Sequence, residues 1–160
     1  MDFDKKVCCC FTGHRPDKLA QNEETIKNQL RHAIEKSVEF GYRTFISGMA
    51  RGVDIWAAEE VLRLKSTKDI ALICACPYKG FENNRTACEK KLYLSITEQA
   101  DRVFYLSPAY HGGVFMIRNR WMVDNSSLVI AAYNGAPGGT RNTINYAENQ
   151  GTEVFNILDP

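Results

Sequence analysis

The sequence predicts an α/β fold, a Rossmann-like three-layer sandwich with a mostly parallel sheet, and three observations predict it. Short apolar runs alternate with segments of helical apolar spacing through all 160 residues. Several of the runs are apolar at nearly every position, as strands covered on both faces are. The joints leading from a run into a helical segment are rich in glycine, above all Ile46-Ser-Gly-Met-Ala-Arg-Gly-Val-Asp54.

Taken in order, Val7–Phe11 reads as the first strand. Asn22 suits the cap of a helix with Glu23 and Glu24 in its first turn; Ile26, Leu30, Ala33, Ile34 and Val38 form the apolar stripe, and Gly41 closes it. Tyr42–Ile46 is the second strand, Val53–Lys65 the second helix and Ile70–Cys76 the third strand. Pro77–Arg85 reads as a loop, and Cys88, Leu92, Ile96 and Ala100, at helical spacing, give a third helix. Arg102–Leu106 is the fourth strand, Val114–Asn125 a helix, Leu128–Tyr133 the fifth strand, Thr140–Asn149 a helix and Glu153–Ile157 the sixth strand. Strands joined by helices of this length imply βαβ units with right-handed crossovers. With no repeat, linker or low-complexity tract, one domain over residues 1–160 is expected.

Composition narrows the function classes. Hydrophobic residues at 44% and charged residues at 24% describe a globular chain, and a net charge of +1 offers no broad basic field for nucleic acid. The longest apolar run, Ile70–Cys76, is far too short to span a membrane, and the N-terminus Met1-Asp-Phe-Asp-Lys-Lys lacks the apolar core of a signal peptide. A cytoplasmic location without membrane association is expected. Cys8, Cys9 and Cys10 are consecutive, Cys74 and Cys76 alternate, and the three histidines are scattered. That spacing suits buried hydrophobes in a reducing compartment; no metal and no cofactor are expected.

In parallel sheets, ligands sit beyond the carboxyl ends of the strands. Three glycine-bearing turns fall there. The first, Phe11-Thr-Gly-His-Arg-Pro16, offers Gly13 for the turn and His14 and Arg15 as polar groups; Arg15 either grips an anion or stands as a surface arginine. The second offers Ser47, Gly48, Arg51, Gly52 and Asp54, its glycines letting backbone approach a ligand. Asp54 either accepts ribose hydroxyls or serves the helix dipole. In the third, Asn134-Gly-Ala-Pro-Gly-Gly-Thr140, Gly138 and Gly139 expose N–H groups and Thr140 caps the helix or binds phosphate. Arg118 and Asn119 interrupt an otherwise apolar helix. Arg118 is expected to hold an anion and to matter little to the fold.

Phe11-Thr-Gly-His-Arg-Pro-Asp-Lys-Leu19, Ser47-Gly-Met-Ala-Arg-Gly-Val-Asp-Ile-Trp-Ala-Ala-Glu59, Arg118-Asn-Arg-Trp-Met-Val-Asp124 and Gly138-Gly-Thr140 lie in order over nearly the whole chain. In these the chain resembles the Smf/DprA–Lonely-guy (SLOG) superfamily, and within it the YpsA-like group of bacterial proteins. The resemblance implies a nucleotide or nucleotide-derived ligand, such as ADP-ribose or a nucleoside phosphate, at the strand ends. Lonely-guy enzymes hydrolyse the N-glycosidic bond of nucleoside monophosphates. Arg118 matches their substrate arginine, but Asn145 stands where their catalytic glutamate belongs, and an amide cannot serve as a carboxylate base. If the chain is an enzyme, Glu148 or Asp54 must carry the reaction. The DprA branch shares the Ser47–Asp54 turn and binds single-stranded DNA, for which the low net charge gives little support. The expected function is therefore a sensor or regulatory binding module for a nucleotide-derived small molecule. No nucleic-acid partner is expected, and a homo-oligomer or protein partner is left open.

Overall fold

The computed structural model describes residues 4–159. Met1–Phe3 and Pro160, the ends of the expected 1–160 domain and the first residues of the acidic N-terminus, lie outside the described residues. Six strands form one sheet: β1 (Cys8–Gly13), β2 (Thr44–Ser47), β3 (Ala71–Cys76), β4 (Arg102–Tyr105), β5 (Leu128–Ala132) and β6 (Glu153–Asn156). Every pairing is parallel, and the order is β4-β3-β2-β1-β5-β6. Progress along the sheet therefore reverses at β1, whose far neighbour is β5. In sheets wound this way the crevice above such a reversal is where ligands sit.

The helices are α1 (Glu23–Glu39), α2 (Val53–Lys65), α3 (Ala87–Gln99), α4 (Val114–Asp124) and α5 (Gly139–Asn149). Alternation along β1 sorts them into two layers. Cys9 and Phe11 pack with α1, α2 and α3, through residues such as Ile26, Leu30, Ala58 and Ile96. Cys8 and Cys10 pack with α4 and α5, through Met122, Val123 and Ala147. Cys74 and Cys76 fall together on the first face, as their alternation requires. The strand cysteines are thus core residues; burial pushes the thiols of Cys8 up to about 11 and of Cys10 up to about 12.

Local chemistry sets the helix ends. Asn22 Oδ1 accepts the Thr25 N–H at 2.9 Å, and Ile26, Leu30, Ala33 and Ile34 form the buried face of α1. Gly41, at φ 103°, ends that helix in a conformation other residues rarely adopt. The central helix, α2, is buried almost all round in its first two turns. It is tied to α1 by Arg31, whose guanidinium reaches both carboxylate oxygens of buried Glu60 at 2.9 and 3.2 Å.

Two points differ from the sequence pattern. Cys88 and Leu92, apolar at helical spacing, do not form the inner face of α3; both are exposed, and Tyr93 and Ile96 point inward. A large aromatic reaching Cys76, with its hydroxyl 3.0 Å from the sulfur, outcompetes the smaller residues for the space above β3. The supposed loop 77–85 also contains a 3-10 turn, Phe81–Asn84, packed against α3 through the Phe81–Tyr93 ring contact.

Candidate functional site

The β1–α1 and β5–α5 connections flank the reversal in strand order, and a cleft of about 250 Å³ opens between them. Gly13, His14, Arg15, Arg51, Asp54, Arg118, Asn119, Gly138, Gly139 and Thr140 all line it. Sequence-predicted residues from three turns and from α4 thus meet in one place. A larger hollow of about 780 Å³ lies between α1 and the edge strand β6, walled by Ala33, Phe40, Tyr42, Phe155 and Ile157. It lies apart from the glycine turns, and its walls have none of their anion-binding groups.

Ser47, Gly48 and Gly52 are not in the cleft wall. The Ser47 hydroxyl donates to the Asp54 carbonyl at 2.8 Å and accepts the Met49 N–H at 3.2 Å, so it staples the turn. A Cβ on Gly48 would stand 2.9 Å from both Arg118 Cδ and Asp54 Oδ2; one on Gly52, at φ 87°, would stand 2.7 Å from Pro16 Cδ. These glycines are required by neighbouring protein atoms. Between them Met49 takes φ 63°, a left-handed conformation that is unusual for its side chain, and its carbonyl accepts from Arg85 at 2.5 Å. Arg51 leans the other way, with its guanidinium 2.8 Å from the Glu89 carboxylate and 3.1 Å from the Asn84 carbonyl.

Arg118 and Asp54 form the floor. Arg118 is 5% exposed and Asp54 6%. Arg118 donates to the Gly48 carbonyl and, at 2.7 Å, to Asn119 Oδ1, while Asp54 accepts the Ala50 N–H at 3.2 Å. Burial pushes the Asp54 carboxyl above the usual carboxylate range, against the pull of Arg118 and the Ala50 N–H. The same burial lowers the Arg118 guanidinium from its ordinary value, opposed by Asp54. The expectation that Arg118 matters little to the fold is therefore corrected: it ties α4 to the β2–α2 turn and faces a buried carboxylate.

The β5–α5 turn is different. Gly138, the N-cap of α5, has φ 140° and no side-chain cap, and nothing lies within 4 Å of a Cβ built on Gly138 or Gly139. The start of this 11-residue helix, Gly138, Gly139 and Thr140, thus lines the cleft at the positive end of its dipole with no side-chain cap. His14 stands in the same cleft, 5% exposed, with its ring 5.4 Å from that of Tyr133. Among the described residues its Nε2 is buried without a hydrogen-bond partner. Burial, and next the charge of Lys18, lower the imidazole pKa, opposed by a hydrogen bond with the Asn134 side chain.

Sequence reasoning missed Lys18, Phe81, Phe115 and Pro137, all part of the cleft lining. Phe81 sat in a presumed loop and Phe115 in an apolar helix, where an aromatic carries no distinctive signal. Of the two carboxylates weighed for catalysis, Asp54 lines the cleft and Glu148 does not; Glu148 and Asn145 are both exposed on α5.

A parallel sheet wound about a β1/β5 reversal, with helices on both faces and glycine turns beyond the strand ends, defines a Rossmann-like domain. The profile of the YspA SLOG family matches residues 9–157, and the chain belongs to that family. It is 33% identical over 138 residues to the SPbeta prophage-derived protein YoqJ of Bacillus subtilis, covering 77% of this chain and 80% of that one. It is 27% identical over 150 residues to a UPF0398 protein of Bacillus thuringiensis, covering 88% and 82%. Among solved structures it resembles DNA processing protein A from Helicobacter pylori, a protein that binds single-stranded DNA. The TM-score is 0.63 at 17% identity, over 93% of this chain but only 64% of that one, a likeness of fold. Among the described residues no helix is long and apolar enough to cross a membrane.

Proposed function

We propose that the cleft binds a nucleotide or nucleotide-derived ligand, ADP-ribose-like or a nucleoside phosphate, and that the chain acts as a sensor or regulatory module. One observation carries the reading: the unpartnered, buried Nε2 of His14 lines the same cleft as the uncapped N-terminus of α5. A buried polar atom left unpaired costs about 1–3 kcal/mol, a penalty that a ligand oxygen or hydroxyl would relieve. Arg15, Lys18 and Arg118 give the lining cationic side chains against the carboxylate of Asp54, with Arg51 paired to Glu89, so the visitor is an anion. The helix terminus takes its phosphate.

A binding role suits the site better than hydrolysis. Asp54, the cleft's carboxylate, is committed to the Ala50 N–H and to the field of Arg118. Glu148, the other candidate base, stands on α5 away from the lining. Incubation with nucleoside monophosphates is expected to release no free base at ordinary turnover rates.

Single-stranded DNA is the second reading, favoured by the fold shared with a protein that binds it. A net charge of +1 predicts binding that is weak and sequence-independent at most. Thermal-shift measurement against a nucleotide panel tests the main reading, since a ligand of the folded state raises the melting temperature. A panel with no effect beside a mobility shift at sub-micromolar DNA would replace it with the second.

A further inference from the structure

The α5 terminus and His14 supply the cleft's donors for an anion. The same lining also holds aromatic rings, and nothing in the phosphate-binding reading requires them. Phe81 and Phe115 both line the cleft, from the 3-10 turn after β3 and from the first turn of α4. Their ring centroids are 5.8 Å apart at 57°. Beyond them the row continues through Tyr110, 6.4 Å from Phe115, and Tyr78, 5.7 Å from Tyr110 and 5.5 Å from Phe81. Phe115 is 38% exposed and Tyr110 66%. Each forfeits apolar burial in this state, so a row of such rings beside a polar cleft is a surface suited to an occupant.

Resting on the nucleotide reading above, we infer that this ledge seats the nucleobase, fixing the ligand's direction: phosphate over Gly138–Thr140, base against Phe81 and Phe115. Three features fit a flat π-system better than an aliphatic group. Aromatic faces stack bases with little regard to sequence. Two guanidinium groups lie over the rings, Arg85 4.7 Å from the Phe81 centroid and Arg118 5.8 Å from that of Phe115. Those cations polarise the rings while donating to the backbone carbonyls of Met49 and Gly48. Gly138–Thr140 for the phosphate, Phe81 and Phe115 for the base, and Asn119 and Asp54 for the sugar all belong to one cleft lining.

Calorimetric titration of the full chain tests the assignment, with adenosine, guanosine and uridine monophosphates and with ribose 5-phosphate as probes. Wild type, Phe115→Ala and Phe115→Trp are compared; because Phe115 is partly exposed, its replacement leaves the core intact. Phe115→Ala is expected to weaken the nucleotides on the order of tenfold and to leave ribose 5-phosphate unchanged. Phe115→Trp should keep nucleotide affinity and add a fluorescence quench that ribose 5-phosphate does not cause. Equal losses for nucleotide and sugar phosphate would mean that Phe115 acts only through Arg118, and the base assignment would be wrong. So would nucleotide affinity indifferent to Phe115→Ala, or wild type that holds ribose 5-phosphate as tightly as the nucleotides. If no probe binds wild type, the nucleotide reading itself falls and the base assignment with it.

Discussion

The β2–α2 turn and the β5–α5 turn look alike in composition and differ in what surrounds them. Each brings two glycines to the start of a helix that has no side-chain cap. In the first, Gly48 and Gly52 are hemmed in by Arg118, Asp54 and Pro16, within 3 Å of where a Cβ would stand. In the second, Gly138 and Gly139 face open space. A glycine at a βα joint reports a close approach or an unusual dihedral, but not whether the neighbour is protein or ligand. The β2–α2 turn is packed against Asp54 and Arg118 as scaffold; on the proposed reading the β5–α5 turn is the donor surface for the ligand.

The largest predicted effect breaks the scaffold. Arg118→Met should cost about 1.5–3 kcal/mol of stability, because it strips the buried Gly48 carbonyl of its charged donor and removes a cation from the surroundings of Asp54. Asp54→Asn combined with Arg118→Met should cost clearly less than the sum of the single changes in denaturant titration. Additive costs would show that the two do not interact.

Next come the packed glycines. Gly13→Ala would drive a methyl to within 2.5–2.8 Å of three Val53 carbons. It should destabilise by about 1–3 kcal/mol, and Gly48→Ala by a similar amount, as overpacking does. Gly139→Ala should shift stability by no more than about 0.5 kcal/mol. Gly139→Asp sharpens the contrast. A carboxylate at the first position of α5 suits the helix dipole and should preserve or slightly raise the melting temperature. The same charge should abolish nucleotide binding by occupying the anion's place.

The smallest effect is the pH dependence from His14. Burial lowers its folded-state pKa below the unfolded value of roughly 6.5. The unfolded chain therefore binds the proton more readily, and the His14 contribution to stability is full above about pH 6.5 and declines as pH falls through the folded value. A bound anion opposes that shift, so nucleotide affinity should rise as pH falls from about 7.5 to 6. His14→Gln should flatten both slopes, as read by melting temperature and calorimetry across that range.

Much of this was legible before the coordinates. Unbroken apolar runs such as Leu128–Ala132 can be little other than covered parallel strands, and Asn22 and Gly41 bracket α1 by backbone chemistry that acts locally. The site was legible in part because its glycine turns are local features that the topology brings together. Three things were not. The burial of Ser47 and of Arg118 depends on partners seven and seventy residues away, which periodicity cannot see. The inner face of α3 turned on the bulk of Tyr93 and its reach to Cys76. The aromatic ledge joins residues 34 positions apart, Phe81 and Phe115, each unremarkable alone.

The contrast between the two turns is tested most directly by backbone amide chemical shifts of ¹⁵N-labelled chain titrated with adenosine monophosphate. The largest changes are predicted at Gly138, Gly139 and Thr140, with smaller ones at Gly13 and His14, while the amides of Ser47 through Gly52 stay close to their free positions. Perturbations centred on Ser47–Gly52, with Gly138–Thr140 silent, would contradict the assignment of scaffold and donor surface.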